Sequence, residues 1–426
     1  MLTRRHWLVF AVCAAGAFFD SLDLQMMSLI SPVLLREWAL SPRTVGVIAS
    51  AAMVGMLCGS LLCGWVSDRI GRRPAFQLTV AVFTAFSALC ALAQGPAQLV
   101  LLRFGVGVGI GGFIPVDTAM LYEFLPRRAR ARMLGLWAIA FPLGGLAATS
   151  LTRFLLPAVG WRGVFLLAAV PAVIVVLARR TIPETPGFLL SRGRVDEANA
   201  SARWISGTDA VGEAAEPVTR PLRELVGPRY LRATMLAWLL WFSWSFSYFG
   251  ITLWLPTLLV LAGVPLSHVL LYAVGFQLAA IAGRAVMLPV AGRFGPRPVI
   301  ILMAAGAAGA VLWFGTLPGT VLLVVAGSLL SCCQDGGFSG IVPFTPDLYP
   351  VRLRATGVGT ANGAGRLASL LAPLLVGALA ESGDIHPVFV IFAAGYGLAA
   401  LAAFCLGSRV VPVASGPDSR SGRGRG

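Results

Sequence analysis

Residues 64–74 read GWVSDRIGRRP, and a shorter copy, GRFGPRP, occupies residues 292–298. Gly71 and Arg73 of the first copy recur 224 positions later as Gly295 and Arg297. The same offset relates EFLPRRAR at 123–130 to DLYPVRLR at 347–354. One constant offset between separate motifs indicates that the chain is a duplication of one unit in the same orientation.

The composition surrounding these motifs is that of a membrane protein. The chain has 426 residues, of which 57% are hydrophobic and only 12% are charged. Soluble domains carry about 25% charged residues, so a soluble enzyme and a disordered chain are both excluded. The net charge is +15, but the basic residues are all arginines that stand between apolar runs. They indicate membrane topology and not a nucleic-acid surface.

The apolar runs predict an all-α chain of twelve transmembrane helices, arranged as two six-helix repeats, because each run reaches about 20 residues. The runs are 7–33, 43–66, 75–94, 97–121, 132–157, 161–179, 231–261, 267–291, 299–316, 319–344, 355–380 and 387–408. One long polar stretch, 180–230, separates the sixth run from the seventh. We therefore expect an N-terminal bundle, a cytoplasmic linker, a C-terminal bundle and a disordered tail. Their bounds are 1–180, 181–229, 230–410 and 411–426.

Arginines are concentrated in alternate loops, which predicts the orientation of the chain. The arginine-rich set includes both ends of the chain and the 180–230 stretch, whereas the opposite set holds only four arginines. Because arginine-rich loops stay in the cytoplasm, both termini and the linker are expected there, in a multi-pass protein of the plasma (inner) membrane.

The loop GWVSDRIGRRP resembles the signature of the major facilitator superfamily, and the acid, proline and arginine at 123–130 resemble its sugar-porter-type motif. Residues 183–186, PETP, are similar to the Pro-Glu-Ser-Pro box of the same superfamily, and Asp20–Pro32 resembles the branch of aromatic acid:proton symporters, niacin transporters and synaptic vesicle glycoprotein 2-like proteins. This resemblance implies an alternating-access transporter that moves an organic carboxylate with protons. Its expected partners are a small-molecule substrate, protons and the lipid bilayer, with no cofactor, no metal and no nucleic acid, and we expect a monomer.

Charged residues inside the apolar runs are candidate functional residues, because each costs at least about 2.5–3.5 kcal/mol to insert. Asp20 and Asp23 lie three residues apart and share one face of the first helix. Helix rise places them about 20–24 Å from the cytoplasmic side, which matches the depth expected for Arg103. A carboxylate that pairs reversibly with an arginine there is a candidate proton site, with a permanent ion pair as the alternative.

The second half carries its own set of polar residues in the membrane. Arg284 and Asp335 fall at similar depth and are expected to neutralise each other, with Gln334 beside them. Arg366 has no evident acidic partner, and we expect it to bind the carboxylate of the substrate. Arg103 is expected to help bind the same carboxylate. Its alternative role is hydrogen bonding to backbone carbonyls.

An aromatic stripe at Trp241, Trp244 and Tyr248 is the candidate surface for stacking on a flat ring, with packing as the favoured alternative for each residue. Glycines 105, 107, 109, 111 and 112 follow no strand, so they predict close helix packing and not a nucleotide loop.

The cytoplasmic motifs are expected to form a gate of acid–arginine pairs that breaks when the two halves move. The residues assigned to it are Asp68, Arg69, Gly71, Arg72, Glu123, Arg130, Asp347 and Arg354.

The resemblance thus implies proton-coupled uptake of a small organic carboxylate, aromatic or nicotinate-like. A drug or metabolite exporter and a sugar porter are the alternatives among transporters, and a non-transporting receptor is the alternative outside them. No catalytic residues are expected, because the three histidines stand near the predicted helix ends.

Overall fold

A computed structural model of the chain describes residues 2–179, 181–206, 221–316, 319–381 and 385–407. These residues form fourteen α-helices and no strand. The helices are α1 Arg4–Glu37, α2 Pro42–Ile70, α3 Arg72–Cys90, α4 Pro96–Phe124, α5 Arg127–Arg179, α6 Pro186–Ser191, α7 Val195–Ser206, α8 Pro221–Leu225, α9 Leu231–Leu261, α10 Leu266–Phe294, α11 Pro296–Gly315, α12 Thr320–Asp347, α13 Val351–Ala380 and α14 His386–Cys405. The tail predicted at 411–426 lies outside the described residues.

Helix α5 is two helices joined at a sharp bend. Gly160 has φ 65° and ψ 177°, so the helical path is interrupted there. The predicted break between residues 157 and 161 coincides with this bend. With α5 counted as two arms, the described residues contain twelve long helical segments, and each overlaps one predicted run. The prediction of an all-α chain with twelve spans is confirmed.

The helix ends follow from local sequence. Thr3 caps α1 in a capping box with His6, and Ser41 caps α2 ahead of Pro42. Gly71 between α2 and α3 has φ 104°, and its repeat Gly295 between α10 and α11 has φ 86°. Glycine adopts this backbone conformation at little cost, so the duplicated glycines mark the same tight turn in each half.

The helix packing repeats with the sequence. Helix α4 packs on α2 and α3, and α12 packs on α10 and α11 in the same way. Likewise α1 packs on α5 as α9 packs on α13. Between the halves, α1 contacts α9, while α2 contacts α13 and α5 contacts α10. The interface between the halves is therefore built from equivalent helix pairs.

Glycines allow the closest of these crossings. A Cβ atom on Gly107 would lie 2.0 Å from the carbonyl oxygen of Ala52, and one on Gly111 would lie 2.0 Å from that of Met56. Both contacts join α4 to α2. The interpretation of the span 4 glycines as packing residues is confirmed.

Candidate functional site

A buried ion pair joins α1 to α4. Arg103 donates from Nη1 to Asp23 Oδ1 at 2.9 Å and from Nη2 to Asp23 Oδ2 at 2.8 Å. Both side chains are 2% exposed. The depth argument expected Asp20 or Asp23 to meet Arg103, and the structure forms the pair with Asp23. Because Asp23 engages both Nη1 and Nη2 of Arg103, these two nitrogens are not available to bind a substrate carboxylate in this conformation.

Asp20 faces the opposite half of the molecule. Its side chain is buried, at 6% exposure, and its charge interacts with that of Arg366 on α13. Arg366 also approaches Met56 on α2, with Nη1 3.6 Å from Sδ. No ion pair or hydrogen bond joins Arg366 to Asp20 within the described residues, but Asp20 is the acidic group of the other half whose charge reaches Arg366. An estimate of depth within one half cannot detect a neighbour contributed by the other.

A second ion pair joins α10 to α12. Arg284 donates from Nε to Asp335 Oδ1 at 2.7 Å, and Tyr248 donates to Asp335 Oδ2 at 3.4 Å. The pairing of Arg284 with Asp335 is therefore as expected. Arg284 also donates from Nη1 to the carbonyl of Ala138 at 2.6 Å, which ties α10 to α5 across the interface between the halves.

A cavity with a mixed polar and apolar lining lies between α1 and the helices of the second half. It measures about 40 Å³ in the volume open to the centre of a water molecule, which is room for about three waters. Its polar lining comes from α1, α9, α10 and α12, and consists of Gln25, Tyr248, Thr252, Gln277, Ser331, Gln334 and Asp335. We call this space the amide cavity, after its three glutamines.

Only some of the residues that were predicted to bind substrate line this cavity. Tyr248, Gln334 and Asp335 line it, whereas Arg103 and Arg366 do not. Trp241 donates to Thr345 Oγ1 at 2.8 Å, and Trp244 is fully buried against Gly337 and Tyr396. Packing therefore explains the two tryptophans, and Tyr248 is the member of the stripe that reaches the cavity.

Three polar residues in the helices were not anticipated from the sequence, of which Gln25 and Asp117 are buried and Gln277 is half-buried. Gln25 and Gln277 line the amide cavity, and Asp117 on α4 is fully buried. The aspartate stands inside an apolar run, as Asp20 does, so the same screen for charges would have found it. The glutamines carry no charge, and only the tertiary structure distinguishes them from other polar residues in the helices.

The linker packs on one end of the bundle, which we call the linker face, where residues 181–206 meet the ends of α1, α3 and α4. The Glu184 carboxylate accepts hydrogen bonds from the backbone N–H groups of Arg72 and Arg73, each at 3.0 Å. The N–H of Gly187 donates to Glu123 Oε2 at 2.8 Å. Carboxylates at this face thus bind backbone N–H groups.

The predicted gate is only partly matched by these contacts. Arg72 donates from Nη1 to Ser67 Oγ at 2.6 Å, and its charge interacts with Glu123. The carbonyl of Arg69 accepts from Arg192 at 3.0 Å. Arg354, one of the arginines expected to pair with an acidic gate residue, donates to the carbonyl of Pro346 at 3.0 Å. The side chains of Asp68 and Arg130 lie outside the described part of the structure.

Known proteins resemble this chain in sequence and in fold. The profile of the Major Facilitator Superfamily matches residues 13–287 and 263–425. The niacin transporter NiaP of Acinetobacter baylyi is 32% identical over 396 residues, which cover 91% of this chain and 90% of that protein. The gallate transporter of Pseudomonas putida is 31% identical over 387 residues, which cover 89% of this chain and 86% of that protein.

A solved structure shares the whole arrangement of helices. The xylose transporter XylE from E. coli, in a partially occluded inward open conformation, has a TM-score of 0.79 and 18% identity, and the match covers 95% of this chain and 98% of that one. At this identity the likeness concerns the fold alone. Together with the profile match and the relatives above 30% identity, it shows that the chain is a multi-pass membrane protein that belongs to the major facilitator superfamily of transporters.

Proposed function

We propose that the chain couples uptake of a small organic carboxylate, aromatic or nicotinate-like, to the entry of a proton. The observation that carries the proposal is the buried Asp20, which interacts with Arg366 from the opposite half. The substrate class is supported by the relatives described above, one a niacin transporter and one a gallate transporter.

The proposed coupling uses the charge interaction between Asp20 and Arg366. While Asp20 is charged, it attracts the guanidinium of Arg366 and holds α1 close to α13. A proton on Asp20 removes that attraction, and Arg366 is then free to donate two hydrogen bonds to the carboxylate of the substrate. The proton and the anion bind together, because each replaces one charge of the original pair.

Asp23 has a different part in this proposal. Both oxygens of its carboxylate accept hydrogen bonds from Arg103, whereas no hydrogen bond or ion pair engages Asp20 within the described residues. Of these two candidates for proton coupling, we assign the exchanging proton to Asp20, and assign to Asp23 the task of fixing α1 against α4.

The proposed arrangement in the membrane follows the arginine bias of the loops. The linker face, both termini and the linker are placed in the cytoplasm, with residues 1–180 and 230–410 as the two moving units. The substrate enters between the units near the middle of the bilayer. The protein is proposed to act as a monomer.

Uptake into reconstituted vesicles tests the proposal. We expect an inward proton gradient to drive accumulation of radiolabelled nicotinate or benzoate, and we expect Asp20→Asn to abolish the driven uptake. Glu381→Gln is the control, because Glu381 is exposed at the end of α13. Uptake that is indifferent to the gradient, or normal driven uptake by Asp20→Asn, would contradict the proposal. Accumulation only in inverted vesicles would indicate an exporter instead.

A further inference from the structure

The amide cavity contains one glutamine that is already held by protein. Gln334 accepts at Oε1 from the hydroxyl of Tyr396 at 3.0 Å, and its Nε2 donates to Thr252 Oγ1 at 3.4 Å. These bonds hold the Gln334 amide in place between two hydroxyl groups. The Gln334 side chain is therefore a fixed part of the cavity lining, and its position does not depend on a ligand.

The other two glutamines of the cavity lack such partners. Gln25 is 9% exposed, and among the described residues neither its amide nor that of Gln277 makes a hydrogen bond. Gln25 is buried and Gln277 is half-buried, and an amide without a partner is more costly the further it is withdrawn from water. A ligand atom that hydrogen-bonds these amides recovers that cost, whereas an apolar ligand leaves it in place.

The two free amides come from different halves of the molecule. Gln25 belongs to α1, while Gln277 extends from α10 towards α5 of the first half. A Cβ atom on Gly145 of α5 would lie 2.6 Å from Gln277 Oε1, so the glycine provides the space in which this amide lies. The cavity between them is bounded by both halves.

The charged residue in the cavity lining indicates which part of a ligand the cavity can accommodate. Within the described lining, Asp335 is the charged residue, and its Oδ1 is already engaged by Arg284 at 2.7 Å. A carboxylate placed beside Asp335 would be repelled, whereas a neutral ring with one polar atom would not. The cavity therefore suits the ring of a substrate and not its carboxylate.

We propose that Gln25 and Gln277 select ring carboxylates that carry a hydrogen-bonding atom on the ring, such as a pyridine nitrogen, over rings that carry none. This inference rests on the proposed function and narrows its substrate class. An amide N–H donates to the ring nitrogen of nicotinate. Benzoate has the same size but presents a C–H group there, so the amide remains unpaired when benzoate binds.

Paired uptake kinetics with nicotinate and benzoate test this selection. In the unaltered protein we expect a lower KM for nicotinate. In Gln25→Met and in Gln277→Met, which keep the length of the side chain, the ratio of the two KM values should move about tenfold towards benzoate, the usual worth of one hydrogen bond. Gln77→Met is the matched control, because Gln77 is a half-buried glutamine on α3, and α3 contributes nothing to the described cavity lining.

Gly145→Ala provides a test that alters no polar group. The added methyl displaces the amide of Gln277, so the KM ratio should move in the same direction as in Gln277→Met, and by less. Equal KM values in the unaltered protein, or an unchanged ratio in both glutamine variants, would overturn the inference. Absence of uptake of either acid by the unaltered protein would instead overturn the proposed function.

Discussion

At the level of single residues, the charges inside the membrane are explained by their partners. Asp20 and Asp23 are separated by about 4.5 Å along the helix and by about 60° around it. That difference is enough for Asp23 to face α4 of its own half while Asp20 faces α13 of the other. Two carboxylates that look equivalent in the sequence therefore have different neighbours, and different consequences when they are changed.

Asp23→Asn is expected to destabilise the protein, because it leaves the buried Arg103 without a counter-charge. Loss of one partner of a buried pair costs about 3–5 kcal/mol, so the thermal unfolding temperature in detergent should fall clearly. Combining it with Arg103→Gln should recover most of the loss.

An exposed ion pair provides the control for this measurement. Glu197 pairs with Arg194 at the surface, where the two side chains are 57% and 52% exposed. Because such pairs contribute only about 0–1 kcal/mol, Glu197→Gln should leave the unfolding temperature nearly unchanged. Equal effects of Asp23→Asn and Glu197→Gln would show that the buried pair does not contribute to stability as argued.

At the level of helices, the start of α3 depends on a residue distant in sequence. Gly71 has a positive φ, and a Cβ atom there would lie 2.3 Å from Glu184 Oε2. The glycine thus permits both the turn and the approach of the carboxylate to the N–H groups of Arg72 and Arg73. A carboxylate at a helix N-terminus binds free N–H groups and complements the helix dipole.

Glu184 variants should therefore reveal the strength of this cap. We expect Glu184→Ala to lower the free energy of unfolding by about 1 kcal/mol, as loss of a helix cap does. Glu184→Gln should cost less, because its one amide oxygen still accepts a hydrogen bond. Thermal unfolding of both variants measures the difference. If Glu184→Ala is as stable as the unaltered chain, the cap is not a stabilising contact.

The helices and their turns could be predicted because apolar length and glycine position are local properties. The runs overlap the helical segments, and the offset between Gly71 and Gly295 marks two equivalent turns. The charge interaction between Asp20 and Arg366 could not be predicted, because it depends on how the halves meet. Gln25 and Gln277 were missed for another reason: an uncharged side chain does not stand out in an apolar helix until a cavity is found beside it.

At the level of the whole molecule, the two halves are in close contact at the end distant from the linker face. A Cβ atom on Gly46 of α2 would lie 2.7 Å from the carbonyl oxygen of Pro373 on α13, and one on Gly377 would lie 3.0 Å from that of Pro42. Ser50 of α2 donates to the carbonyl of Leu370 at 3.1 Å. Small residues thus bring α2 and α13 into backbone contact, which closes this end of the interface.

A larger side chain in this contact between α2 and α13, which we call the seam, should separate the two helices. Gly377→Val places methyl groups against the backbone of α2, whereas Gly359→Val on the same helix meets open space and carries the same change in helix propensity. The readout is labelling of Ser50→Cys by a membrane-impermeant maleimide, with the seven native cysteines replaced. If the seam contributes about 1 kcal/mol to closure, Gly377→Val should raise the labelling rate about fivefold. Equal labelling in the two valine variants would mean that close packing of α2 and α13 does not hold this end shut.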